Sequence, residues 1–210
     1  MRVIKSVSFL WLVALALLLS ACEGLHAQER ETRGLQTYVG DGFSLQYPAN
    51  AQVERASTDP ATKAEIHIIG PDVSVKPGDG DWVYSGPAYE MIILTFDNPG
   101  RLDTEAWARN HILTSWQQAK ERGEPLMGPL VSESGKIIED QVCPAVVAAE
   151  PAFRADFLAG DSYRRTFFLS RERQIVALSF YDYPLENQPL AMVQQDVYAF
   201  ILSTFRFEKR

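Results

Sequence analysis

The chain has 210 residues, 46% of them hydrophobic and 22% charged, with a formal net charge of −7. That length and composition suit one globular domain with a full core. The acidic balance argues against nucleic acid as a partner, because phosphate binding needs clustered Lys and Arg.

Arg2 and Lys5 precede an apolar run from Val7 to Leu19, and small residues follow it. A charged start, a greasy middle and small residues before a cut make a secretory signal. An uncleaved anchor is the rival reading, but the run is shorter than the roughly 20 apolar residues a span needs. Leu19-Ser20-Ala21-Cys22 resembles a bacterial lipoprotein signal, a lipobox. The resemblance implies a diacylglyceryl thioether on Cys22, cleavage before it, and N-acylation in some bacteria. Each buried methylene gains about 0.8 kcal/mol, so two or three acyl chains would hold the domain at a membrane. Glu23 rather than aspartate follows the cysteine. Under an enteric-type sorting rule this points to the outer membrane of a two-membrane envelope. Residues 1–21 hold two basic and no acidic residues, so their removal leaves 189 residues with a net charge of −9. Lipid, not attraction to an anionic surface, is therefore expected to do the anchoring.

Residues 22–35 comprise the lipidated cysteine and a polar stretch without hydrophobic period, which reads as a flexible tether. A single domain is expected over 36–210. Tyr38 to Val53 reads as a hairpin or meander, with Gly40-Asp41-Gly42 as its turn. Phe43, Leu45 and Tyr47 alternate with Ser44 and Gln46, which buries one face, and Pro48 ends that strand. Glu65 to Ile69 is a short strand. Gly70 to Pro87 is rich in Gly, Pro and Asp and reads as a surface loop or ragged insertion. Tyr89 to Phe96 is too apolar for a strand with one wet face and reads as a central strand.

A helix is predicted from Asp103, its cap, to about Arg122, stopping at Gly123. Leu102 and Trp107 are placed to form a hydrophobic staple. Ala108, Ile112, Ser115, Trp116 and Ala119 share one face. Strands are expected at Leu130–Glu133, Lys136–Gln141 and Ala145–Glu150. Tyr163–Leu169 and Ile175–Tyr181 flank a charged tip, Ser170 to Gln174. They form a hairpin that gives Phe167, Leu169, Val176, Leu178 and Phe180 to the core. A last helix runs from about Pro189 to Leu202, with Leu190, Val193, Val197 and Ile201 on one face. Strands, a helix, mostly antiparallel strands and a helix make an α+β fold, an antiparallel sheet packed by helices.

Two ends of this body carry a resemblance: Gly42-Phe43-Ser44-Leu45-Gln46-Tyr47-Pro48 near the start and Phe200-Ile201-Leu202-Ser203-Thr204-Phe205-Arg206-Phe207 at the end. Together they resemble the PsbP-like superfamily, which includes many bacterial lipoproteins. The resemblance covers roughly residues 36–208. It implies an antiparallel β-sheet flanked by helices, an α/β/α sandwich, and supplies no catalytic positions.

With Cys22 committed to lipid, Cys143 is left alone and no intramolecular disulfide can form. It reads as a buried thiol in an apolar strand. The alternative is a redox or intermolecular disulfide, but neighbouring sequence supplies no positive charge to activate the thiol. His26, His67 and His111 form no ligand-type pair, so no metal centre is expected. Nucleophile elbows and phosphate-binding glycine patterns are absent from the sequence. Glu139 and Asp140 are strand neighbours and would point to opposite faces. No catalytic residue and no cofactor are therefore assigned. The candidate binding residues are Asp72, Asp79, Asp81, Trp82 and Tyr84, carboxylates and aromatics gathered in the 70–87 loop. The expected function is that of a non-enzymatic, lipid-anchored cell-envelope protein that binds or stabilises another envelope component. The alternative is a small-ligand or cation receptor using that loop, and an undetected hydrolase comes third.

Overall fold

The structure, a computed structural model, describes residues 34–56, 62–76, 83–123, 130–159, 162–182 and 188–208. Cys22 and the signal segment lie outside the described residues. Thr37–Arg210 forms one compact unit. Strand β1 (Leu35–Val39) starts one residue inside the stretch expected to be tether.

A seven-stranded antiparallel sheet dominates. Its order is β3 (Gln52–Ala56), β4 (Ala64–Ile69), β7 (Glu90–Asp97), β11 (Gln174–Asp182), β10 (Ser162–Arg171), β9 (Glu150–Ala159) and β8 (Val142–Val147). A second sheet orders β1, β2 (Phe43–Pro48) and β12 (Arg206–Phe207). Strand period explains the layering. On β11, Val176, Leu178 and Phe180 join Ile68, Met91, Phe43, Tyr198 and Ile201 in one core, while Ile175 and Ala177 join Phe153, Phe168, Ala108 and Ile112 in another. Helix α1 (Thr104–Arg122) thus covers one face, and helix α2 (Gln188–Thr204) with the small sheet covers the other. Burial on both sides is why β7 and β11 read as continuous apolar runs. The expected α+β class holds.

Helix α1 begins and ends where its caps predict. The Asp103 carboxylate accepts the Ala106 N–H at 2.8 Å, and Gly123 takes φ 66°. Ala108 and Ile112 are buried on its packed side and Trp116 packs there too, as expected, but the face is not the expected one throughout. Ser115 is exposed, whereas His111 stacks 4.8 Å from Trp107 and 4.9 Å from Phe96. Burial among these rings pulls the His111 pKa below its usual value. Arg109 ties the helix to the 3₁₀ turn Glu139–Gln141 by a two-pronged bond to Glu139 at 2.8 and 2.9 Å.

In helix α2 Ile201 and Val197 face the core as expected, the side chain of Leu190 lies outside the described residues, and the rest of the stripe is displaced. Val193 is 49% exposed and Met192 65%, while Gln194 and Tyr198 are each 1% exposed. Those two polar side chains face inward because the backbone beside them needs partners. Gln194 Nε2 donates to the Ala88 carbonyl at 3.0 Å. The Tyr198 hydroxyl accepts the Glu90 N–H at 3.1 Å and lies 3.2 Å from the Glu90 carbonyl.

The expected strands at 130–133 and 136–141 reduce to a single bridge, Val131↔Ile137, followed by the 3₁₀ turn. The next strand is β8, at Val142–Val147, and β9 has no counterpart among the expected strands. The two pair through a two-residue turn, Ala148-Ala149, with φ of 49° and 71°. Left-handed alanine is strained by roughly 1–2 kcal/mol per residue, and such turns prefer Asn-Gly. Ala148→Asn with Ala149→Gly should raise the unfolding free energy by about 1 kcal/mol. An unchanged or lowered urea midpoint would refute that strain.

Strand β8 is one edge of the large sheet and β3 the other. Pro144 stands opposite Phe153 in an unbroken ladder. Lacking an N–H, proline fits such a ladder only at a non-bonded pair, so its missing donor faces outward.

Candidate functional site

The segment expected to be a loop contains a β-hairpin. Strands β5 (Asp72–Val75) and β6 (Tyr84–Pro87) pair with each other, from Asp72↔Pro87 to Val75↔Tyr84. Turn-forming residues dominate between them, which hides two short strands from a reading based on composition. Asp79, Asp81 and Trp82 lie outside the described residues. Asp72 and Tyr84 do not converge. Alternation puts Asp72 on the hairpin face of Ser74 and Ser85, all exposed, whereas Val73 and Tyr84 pack against the larger core.

The base of this hairpin is firmly rooted. The Tyr84 hydroxyl donates to the Pro87 carbonyl at 2.8 Å, and the Ser74 and Ser85 hydroxyls lie 3.1 Å apart. The Gly70 N–H donates to the Tyr89 carbonyl at 2.8 Å. A Cβ on Gly70 would fall 2.6 Å from the Tyr89 ring, so glycine lets chain and ring approach. Burial pushes the Tyr89 phenol up to about 12, and as a neutral donor it reaches Asn50 Oδ1 at 3.3 Å. The hairpin therefore projects from a fixed base.

His67, read from sequence as an ordinary histidine, is clamped between strands. Its Nδ1 lies 2.7 Å from Glu90 Oε1 and its Nε2 2.9 Å from Glu65 Oε1. Glu54 stands directly across on β3. Burial lowers the His67 pKa, but the hydrogen bonds and charges of Glu90 and Glu65 outweigh it, and the net direction is upward. With both ring nitrogens facing carboxylates, the protonated imidazolium satisfies the site. Glu65 and His67 are two apart on one strand, a signal available in the sequence. Glu90 arrives only through the β4–β7 register.

Cys143 is half-buried, not buried as expected, and free. Its cross-strand neighbour is Arg154, whose Nε lies 3.1 Å from Asp156. The next strand thus places an arginine opposite Cys143, itself paired with a carboxylate. Among the described residues no group of three metal-ligating side chains gathers, and no helix is long and apolar enough to cross a membrane.

No family model matches this chain, and no curated protein matches it. Among solved structures it is similar to a protein from Bacteroides thetaiotaomicron VPI-5482, at 12% identity and TM-score 0.43, over 83% of this chain and 49% of that one. The chain thus spans about half the length of that protein. It is also similar to cyanobacterial PsbP (CyanoP) from Synechocystis sp. PCC 6803, at 8% identity and TM-score 0.49, over 83% of this chain and 93% of that one.

Proposed function

We propose that this chain is a non-enzymatic bacterial envelope protein, held to a membrane by acyl groups on Cys22. Its PsbP-like domain binds or stabilises another envelope component through the β5–β6 hairpin and the segment 76–83 it carries. The observation that carries this reading is the hairpin itself. Among the described residues its two strands pair only with each other, Val73 and Tyr84 anchor it to the core, and Asp72, Ser74, Val83 and Ser85 are left exposed. A rooted hairpin that leaves both polar and apolar side chains exposed suits recognition. The helix that runs into the Phe205-Arg206-Phe207 end, pairing with Phe43 and Ser44, supports the PsbP-like reading of the fold.

The test is a pull-down from native-host membranes. Val75 and Tyr84 are paired, so replacing residues 76–83 by Asn-Gly closes the hairpin with a favoured two-residue turn. A component retained by wild type and lost by this variant is the expected result. Equal capture by both forms sinks the hairpin as the interface. If wild type alone gains thermal stability from calcium, the cation-receptor reading takes its place, since a native-state ligand raises the melting point by mass action.

A further inference from the structure

A concave feature lies at the far end of strand β7 from the hairpin. The hairpin enters at Glu90, and this cleft opens at Asp97, so the eight residues of β7 separate them by roughly 25 Å. The cleft has a volume of about 340 Å³. It forms where the ends of the two sheets meet. Gly42 and Glu208 flank strands of the small sheet, Lys63 precedes β4, Asp97 ends β7, Arg171 ends β10, and Glu172 and Arg173 make the β10–β11 turn. That volume is at the small end of the range for metabolite sites, and the charged lining selects for a charged guest.

The walls are fixed by backbone contacts rather than by the charged side chains. The Asn98 N–H donates to the Arg173 carbonyl at 2.6 Å, and the Glu208 N–H donates to the Gly42 carbonyl at 3.0 Å. Gln174, a buried polar side chain, donates through Nε2 to the Asp41 carbonyl at 2.7 Å. Glu172 holds φ at 54°, which makes the turn tight.

The charges divide evenly. Lys63 is committed to Asp41 at 2.8 Å and stands 4.0 Å from Asp97. Arg171 lies over the Phe207 ring at 5.5 Å, which orients its guanidinium without using its donors on a carboxylate. Among the described residues, Arg171 and Arg173 make no ion pair, and neither do the carboxylates of Glu172 and Glu208. Beside the Lys63–Asp97 pair, two arginines and two glutamates thus share one small cleft without pairing with each other. A simple anion would meet Asp97, Glu172 and Glu208, and a simple cation would meet the arginines. A guest carrying both signs satisfies both sets. Guanidinium forks suit planar or tetrahedral oxyanions, and carboxylates suit ammonium.

We propose that this cleft binds a small zwitterion, with a carboxylate or phosphate held by Arg171 and Arg173 and an ammonium held by Glu208 and its neighbouring carboxylates. Two sources share that chemistry, a free amino acid or peptide and an ethanolamine-phosphate headgroup. The experiment is calorimetric titration of the full chain in detergent with glycylglycine and with phosphoethanolamine. Acetate, inorganic phosphate and ethylamine serve as single-charge controls. At least one zwitterion should bind at least about tenfold more tightly than any control, the difference that one additional charge-assisted hydrogen bond supplies. The preferred zwitterion identifies the source. Arg173→Gln and Glu208→Gln, both at exposed positions, should each weaken binding about tenfold. Lys120→Gln, sixteen residues along helix α1 from Thr104, which meets Ser170 beside the cleft, removes one positive charge as Arg173→Gln does and should not. Absence of binding up to roughly 10 mM overturns the proposal. Equal affinity for a single-charge control, or equal loss in all three variants, overturns it as well. None of these outcomes bears on the hairpin, because the two features lie at opposite ends of β7.

Discussion

Tyr198→Ala should destabilise the protein by about 3–5 kcal/mol, the range for emptying a buried aromatic site. The ring is fully enclosed and stacks on Phe180 with centroids 4.2 Å apart. Its hydroxyl serves the first residue of β7, accepting from the Glu90 N–H, and lies 3.4 Å from the Tyr181 carbonyl. Tyr198 therefore fastens helix α2 to the ends of two central strands. Tyr198→Phe separates the two contributions. It keeps the stacking and leaves the Glu90 amide without its acceptor, which should cost about 1–3 kcal/mol. Equilibrium urea unfolding followed by tryptophan fluorescence measures both. Equal losses for the two variants would show that the hydroxyl, not the ring, dominates. A negligible loss for Tyr198→Phe would remove the hydroxyl from the account.

The two structured histidines should tilt the pH dependence of stability in opposite directions. His67 has a raised folded-state pKa, because Glu90 and Glu65 outweigh its burial. Its contribution is fully present below the unfolded value of about 6.5 and is lost as pH rises through the folded value. His67→Gln should therefore cost about 1–2 kcal/mol in mildly acidic solution, where it removes a charged partner from two half-buried carboxylates. The cost should shrink as pH rises. His111 has a lowered pKa owing to burial. The unfolded chain takes up its proton first, so His111 erodes stability as pH falls below about 6.5. His111→Phe keeps a ring against Trp107 and should flatten that acid loss. Denaturation midpoints between pH 5 and 8 for the wild type and both variants decide the matter. Parallel profiles would refute the clamp around His67 and the burial effect at His111 alike.

Much of the frame is legible from residue order. The alternation in Phe43, Leu45 and Tyr47, the Asp103 and Gly123 caps and the β10–β11 hairpin rest on local chemistry that tertiary contacts do not override. Local chemistry also explains where residue order misleads. Ala148 and Ala149 carry no turn signal, since alanine avoids the left-handed region, so β8 is displaced in a reading of the sequence and β9 is hidden. Strand β3 is exposed along almost its whole length and shows no hydrophobic period. Gln194 and Tyr198 flank the expected apolar stripe of helix α2, and their burial is hidden because their backbone partners lie more than a hundred positions away. Asp72 belongs to the candidate segment as expected, but strand alternation separates it from Tyr84. The charged cleft draws on residues from Gly42 to Glu208, and no local pattern announces such an assembly. The β4–β7 register likewise decides what His67 meets.

Pro144 acquires a further meaning if many copies share one membrane plane. Such sharing would crowd the domains into a thin layer and raise their effective concentration. A bare apolar strand edge in that layer could recruit the next copy, which would expose a new edge and propagate. In β8, Val146 is 71% exposed and no residue carries a charge, so the usual deterrent is missing. The proline withholds one donor from the row an incoming strand would have to match. In such a layer a single imino acid would act as a chain terminator against lateral polymerisation.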